Sequence, residues 1–384
     1  MRAHGRPRVP VLFIFAFGNS LAFGPFTLYL ALYAKSLGFT PFQWTVLNTV
    51  NVVLCSAGLL GLAGLLRQVS IRAVMQVTYA LLAGCFVSIA LGGRPGVIAG
   101  GLFFGLLGTV NTLCIQIELQ KASGSPGKAN SAYTVVTAVG SILAPLVAAP
   151  LVGRGSYAPY WLGCACIAGS LIFACVLLPG RRDAAEAATP SAARADLRGI
   201  MRAGFPWLLL GSAILEPFSF QPFDLYFSLH LSALGVPDAR IGAVASAAWA
   251  LYLLSSVLAF FLLDRLDIRI FFALFLAGAA LSCAGFGLSA AVVPAVACAC
   301  AYRLFYGWLH PAKNVRYARF ATRQTLSSVF SVSISIQNFS AAGVGAVLAG
   351  LVGSVGMQPL IAAGGLIAAA GGAATAAAPK SADF

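Results

Sequence analysis

Charge is what this sequence has least of. Lys, Arg, Asp and Glu together make up 9% of its 384 residues, and only ten residues are acidic. Soluble globular chains carry about 25% charged residues. With 60% hydrophobic residues and a mean hydropathy of +0.90, a water-soluble domain would run out of polar side chains to cover its surface. Other absences narrow the chemistry. There is no Walker phosphate loop, no metal-ligand cluster and no nucleophile–base arrangement. Direct ATP drive, a cofactor and enzymatic catalysis are therefore not expected. The apolar runs are continuous and about 20 residues long, which excludes the ~10-residue alternation of barrel strands. An integral membrane protein built of helices is expected.

What charge there is lies in an informative place. The formal net charge is +14, yet the basic residues fall between apolar segments and form no single patch. That distribution belongs to membrane topology and argues against a nucleic-acid partner. All nine cysteines lie inside apolar segments, where a thiol behaves as a small hydrophobe. The excess of Arg over Lys, with abundant Ala and Gly, reads as the codon bias of a G+C-rich bacterium.

Twelve spans are predicted: about 9–34, 42–66, 72–92, 96–118, 131–153, 158–178, 205–232, 239–263, 268–290, 292–311, 326–353 and 357–378. The basic N-terminus ahead of span one resembles a signal peptide, but the apolar run is too long and lacks a small-residue cleavage site, so it is read as a retained span. With the N-terminus in the cytoplasm, the inside segments hold 19 of the 24 basic residues. The outside loops hold Lys35, Arg94, Arg154 and Arg240, and Arg303 lies within a span. Positive charge in short loops stays cytoplasmic, so this count supports an even number of spans with both termini inside. The expected location is a bacterial inner membrane, with the lipid bilayer as partner and a monomer as the working unit.

The stretch 179–204 is rich in Ala, Arg, Asp and Pro and reads as a flexible cytoplasmic linker. It separates a first six-helix half, 1–178, from a second, 205–384. The halves repeat. Ser36-Leu37-Gly38-Phe39 matches Ala233-Leu234-Gly235-Val236, and Ser70-Ile71-Arg72 matches Asp267-Ile268-Arg269, both at an offset of 197. Six spans per half return the chain to the same side, so the repeats are parallel, related by an axis along the membrane normal.

On these features the chain resembles the major facilitator superfamily (MFS) of transporters. Leu37-Gly38-Phe39-Thr40-Pro41 after span one is typical of that superfamily. The Gly-x-x-x-Asp-Arg-x-Gly-Arg-Arg signature after span two is degraded: Arg67 remains with Leu66 in the Asp place, and Gly61 lies one residue further from them than the signature has it. Its copy in the second half, Asp264-Arg265-Leu266-Asp267-Ile268-Arg269, is fuller. Span five carries Gly140-Ser141-Ile142-Leu143-Ala144-Pro145, close to the Gly-x-x-x-Gly-Pro of the antiporter branch. The span-four Arg of many drug antiporters is missing, with Phe103 and Phe104 in that region. The resemblance implies an all-α membrane protein of twelve transmembrane helices in two pseudo-symmetric six-helix bundles. It also implies a cavity lined by spans one, four, seven and ten.

The unusual polar residues fall on those spans. Candidates for a substrate and proton pathway are Asn19, Asn111, Glu216, Gln221, Asp224 and Arg303, with Tyr302 and Tyr306 flanking the Arg. Ionisable groups within a span mark function by default. Glu216 and Arg303 are each eleven residues into their spans, near mid-membrane. Arg303 is expected to hold either substrate or Glu216, with Glu216 exchanging a proton. Asp224 lies nearer the outer face. Glu118, at the cytoplasmic end of span four, is expected to be solvated or to pair within a loop; His230 and His310 sit at span ends and are expected to be hydrated; and some of the aromatics Trp44, Trp249, Tyr252 and Trp308 are expected to anchor at the interface. Pro217 and Pro222 kink span seven, and with Pro145, Asp264 and Arg265 they are the expected conformational elements. The expected function is secondary active transport, as proton-coupled export of a small organic molecule, amphiphilic or anionic. The alternatives are proton-coupled uptake of a small organic anion, or a non-transporting sensor or assembly factor.

Overall fold

The computed structural model describes residues 9–122, 126–152, 155, 157–178, 210–262, 268–319 and 326–376. They form twelve α-helices and no strand. In chain order these are α1 (Val9–Ser36), α2 (Pro41–Gln68), α3 (Ile71–Leu91), α4 (Gly93–Ala122), α5 (Pro126–Val152) and α6 (Ala158–Leu177). After the linker come α7 (Pro217–Ala233), α8 (Asp238–Leu262), α9 (Ile268–Leu288), α10 (Val292–Arg319), α11 (Leu326–Val355) and α12 (Met357–Ala376). A π-helical turn, Leu210–Leu215, precedes α7. Eight of the described helices are long and apolar enough to cross a membrane, and α9 and α12 carry shorter apolar stretches. Large side chains such as Leu91, Val176, Leu288 and Val293 are more than two-thirds exposed. That much outward apolar surface belongs against lipid. The protein is multi-pass.

The 197-residue repeat is visible in the backbone. Pro41 opens α2 and Asp238, 197 residues on, opens α8; Ile71 and Ile268 open α3 and α9 at the same offset. The ends of α1 and α7 are capped identically. Gly38 and Gly235 adopt φ of 80° and 85°. Behind them the Phe39 amide donates to the Ala34 carbonyl and the Val236 amide to the Leu231 carbonyl, each at 3.0 Å. This six-to-one bond closes a Schellman cap, and its left-handed position is why glycine stands there twice.

Packing follows the same symmetry. In the first half α1 lies against α5 and α6, α3 against α4 and α6, and α2 against α4. In the second half α7 lies against α11 and α12, α9 against α10 and α12, and α8 against α10. The halves meet through two equivalent crossings, α2 with α11 and α5 with α8, and through α1 with α7. Small residues allow the close approaches. A Cβ on Gly140 would come within 2.7 Å of Ser20 on α1, and one on Gly24 of α1 would overlap Ala144. The span-five motif is thus a packing seam between α5 and α1.

The halves are closed against each other at the end carrying the α1–α2 and α7–α8 loops. We call this the outer end, after the expected orientation. There Trp44 Nε1 donates to the Leu225 carbonyl at 3.3 Å, and the Thr45 and Tyr226 hydroxyls are 2.9 Å apart. Lys35 Nζ donates to Ser232 Oγ at 3.3 Å, and these two residues are 197 apart in sequence. Two equivalent positions can touch only where the symmetry axis passes, so this contact lies on the axis.

Candidate functional site

The site is built on α7 and α10, which run antiparallel. The π turn widens the backbone just before Glu216, and Pro217 then starts α7 from its first helical position. π turns recur at functional sites, and a proline there costs no hydrogen bond. Glu216 is completely buried. Its partner is Lys313, whose ammonium donates to Glu216 Oε1 at 2.9 Å and to Oε2 at 3.0 Å. The ammonium also donates to Gln337 Oε1 of α11 at 3.3 Å. All three ammonium donors are used, which is what permits this charge in a buried position.

A second ion pair lies outward of the first. Arg303 Nη2 donates to Asp224 Oδ1 at 2.6 Å. The guanidinium also sits over the Trp249 ring, 4.5 Å from its centroid, with Phe223 and Tyr302 at 5.4 and 5.8 Å. The pair is more open than the first: the side chain of Arg303 is 13% exposed and that of Asp224 47%. Along α10 the two cations are ten residues apart, about 15 Å. Stacked rings join them. Phe223 lies on Tyr302 at 4.0 Å, Tyr302 on Tyr306 at 5.7 Å, and Tyr306 on His310 at 6.2 Å.

Between the halves is a cavity of about 370 Å³. Asn51, Val52 and Cys55 of α2 line it, with Gly105, Thr109, Thr112, Leu113 and Gln116 of α4. From the other half come Tyr306, His310 and Lys313 of α10 and Ile334, Gln337 and Asn338 of α11. Half of the lining residues carry an amide or a hydroxyl, Val52, Cys55, Gly105, Leu113 and Ile334 are apolar or nearly so, and Lys313 brings the one ammonium. His310 Nδ1 faces the Tyr252 hydroxyl at 3.0 Å.

The structure redistributes the sequence candidates. Arg303 pairs with Asp224 and not with Glu216, because the antiparallel helices set the two inner charges together and the two outer charges together. Lys313 was expected in a cytoplasmic loop; α10 continues to Arg319, so Lys313 faces the core. Gln221 bonds Asn48 of α2 at 2.9 Å, bridging the halves. Tyr306 lines the cavity, whereas Tyr302 is fully buried beneath it. Asn19 and Asn111 are buried and do not line the cavity; Asn111 Oδ1 accepts from Thr78 of α3. Glu118 is buried rather than hydrated. His230 is buried as well, with Nε2 3.1 Å from the Phe286 carbonyl, and Trp44 is a contact between halves and not an interface anchor.

Backbone carbonyls one turn before the prolines are used by other helices. Pro222 lies inside α7 and cannot bond the Phe218 carbonyl, which abuts Gly364 of α12. The next carbonyl, Ser219, accepts from the Cys283 thiol at 3.2 Å. Pro145 lies inside α5, and one turn before it the Ile142 carbonyl accepts from Ser246 of α8 at 2.9 Å. Asp264 and Arg265 lie outside the described residues. Among the described residues no group of three His, Cys, Asp or Glu is placed to hold a metal ion.

No protein-family profile matches the chain, and no curated protein sequence matches it. Solved structures do. The nucleoside transporter NupG superposes with a TM-score of 0.74 at 16% identity, covering 97% of this chain and 99% of its own. A POT family transporter in complex with 5-aminolevulinic acid gives 0.75 at 13% identity, covering 97% and 96%. The human organic anion transporter MFSD10 gives 0.67 at 14%, covering 96% and 98%. The chain has the major facilitator fold. At these identities the likeness establishes the architecture alone, twelve helices in two pseudo-symmetric bundles.

Proposed function

We propose that this MFS-fold chain is a secondary active transporter that moves a small organic anion together with a proton by alternating access between its two halves. The observation that carries this reading is the buried Glu216–Lys313 pair, whose ammonium lines the cavity between the halves. Lys313 is the charged residue on that wall, so an entering anion competes with Glu216 for it. A carboxylate displaced from its cation in a buried position takes up a proton rather than stay charged. Anion and proton are then bound together, and the site remains neutral. An inward proton gradient drives such a pair inward, which favours uptake.

Export, the direction expected from the sequence, keeps one support: the Gly140–Pro145 motif. Its small residues here pack α5 onto α1. In that reading a proton enters as the anion leaves. A non-transporting scaffold has no use for an ion pair on a cavity wall. Purified protein in liposomes loaded with a pH-sensitive dye decides among these. Uptake predicts that a transported acid added outside acidifies the lumen, and that Lys313→Ala abolishes the signal. Lumenal alkalinisation as the acid enters reverses the proton direction and supports export. No acid-dependent proton movement from a broad panel of organic acids contradicts transport of an anion with protons.

A further inference from the structure

The cavity wall also specifies what kind of anion fits. We infer that it is a binding site for a hydrophilic monocarboxylate, one whose body carries hydroxyl or amide groups; this rests on the proposed exchange in which the entering anion takes the Lys313 ammonium from Glu216. The volume of about 370 Å³ is at the small end of ligand sites, which run from about 300 to 1,000 Å³. The wall offers one ammonium, held by Glu216 at 2.9 Å, so at most one entering carboxylate can take it over and a second negative charge would be buried unpaired. Gln337 Oε1 already accepts from Lys313, which leaves the Gln337 amide nitrogen beside the ammonium as a second donor. An ammonium and an NH2 side by side suit the two oxygens of a carboxylate.

Across the cavity, α4 and α11 present uncharged polar groups beside Leu113 and Ile334. Thr109, Thr112, Gln116 and Asn338 face the same space. Thr109 accepts from the Cys55 thiol at 3.1 Å and Asn338 donates to it at 3.5 Å, whereas the Gln116 carboxamide has donor and acceptor to spare for a ligand hydroxyl or amide, and an apolar body would leave it unsatisfied. Such a wall rejects a ligand lacking its hydrogen-bonding groups far more sharply than an apolar pocket rejects an added hydroxyl. Fatty acids and lipophilic drugs are therefore poor ligands here.

The test is ligand binding to the full-length protein in lipid nanodiscs, read by calorimetry and thermal stabilisation. Two matched probe sets are used: gluconate, hexanoate and sorbitol; and pantothenate, nonanoate and panthenol. Gluconate or pantothenate is expected to bind, with the uncharged partner weakened about a hundredfold, the loss of a charge-assisted contact. The apolar acid is expected to be weakened about tenfold or more. Gln116→Leu, which removes an amide that makes no hydrogen bond among the described residues, is expected to weaken the hydroxylated acid about fivefold and leave melting unchanged. Equal or tighter binding of hexanoate or nonanoate overturns the polar-body assignment. Equal binding of sorbitol or panthenol overturns the carboxylate, and no binding by any probe up to about 10 mM overturns the class. Selective binding without movement in liposomes sinks the transport reading and leaves the site standing; movement of an apolar acid does the reverse.

Discussion

The two α7–α10 ion pairs join the same helices and differ in almost everything else. Glu216–Lys313 is sealed, with side chains 0% and 4% exposed, and lies on the cavity wall. Asp224–Arg303 is half open, with Arg303 held as much by the Trp249 ring as by its carboxylate. The sealed pair is stable only while both charges are present, because removing one partner strands the other in a buried position. The open pair can lose a partner to water and ring contacts at little cost. In the proposed function, coupling chemistry is assigned to the inner pair and positioning to the outer one.

The largest predicted effect is at the inner pair. Lys313→Ala leaves a buried carboxylate without a cation and should cost about 3–5 kcal/mol. Thermal unfolding in detergent measures it, and Lys313→Ala with Glu216→Ala together should recover most of the loss, because the double variant strands no charge. The corresponding change at the outer pair, Arg303→Ala, should cost about 1 kcal/mol from the half-exposed pair, with a similar amount from the lost ring contact. If Arg303→Ala proves as damaging as Lys313→Ala, the two pairs are not different in kind. The smallest effect is at the axis: Lys35→Ala removes one exposed hydrogen bond at the closed outer end and should change melting by less than about 1 kcal/mol. A large loss there would move the weight of the structure to that gate.

Much of the fold was legible in the sequence because a bilayer demands long apolar helices and charge between them. The repeat was legible because its caps need glycine at a left-handed position, as Gly38 and Gly235 show. The pairing in the site was harder to read. Counting Lys313 as a loop residue hid it, since hydropathy fades where a helix runs past the membrane, as α10 does to Arg319. A signal was nevertheless present: Arg303, Tyr306, His310 and Lys313 follow i, i+3, i+7, i+10, one stripe of a helix. Carboxylates eight apart on α7, facing cations ten apart on an antiparallel α10, then pair inner with inner and outer with outer. Asn19 and Asn111 misled for the opposite reason. They lie on the expected spans but turn into the first half, and span identity alone does not give the facing.

Glu216 is the proposed coupling carboxylate, and one comparison tests that role most directly. Native protein, Glu216→Gln and Asp224→Asn are placed in liposomes under an inward pH gradient, and uphill accumulation of the tightest-binding acid is measured beside gradient-free exchange. Native protein and Asp224→Asn should accumulate the acid, whereas Glu216→Gln should exchange it without accumulation. Accumulation by Glu216→Gln at the native level, with Asp224→Asn inert, would place coupling at the outer pair and contradict the account.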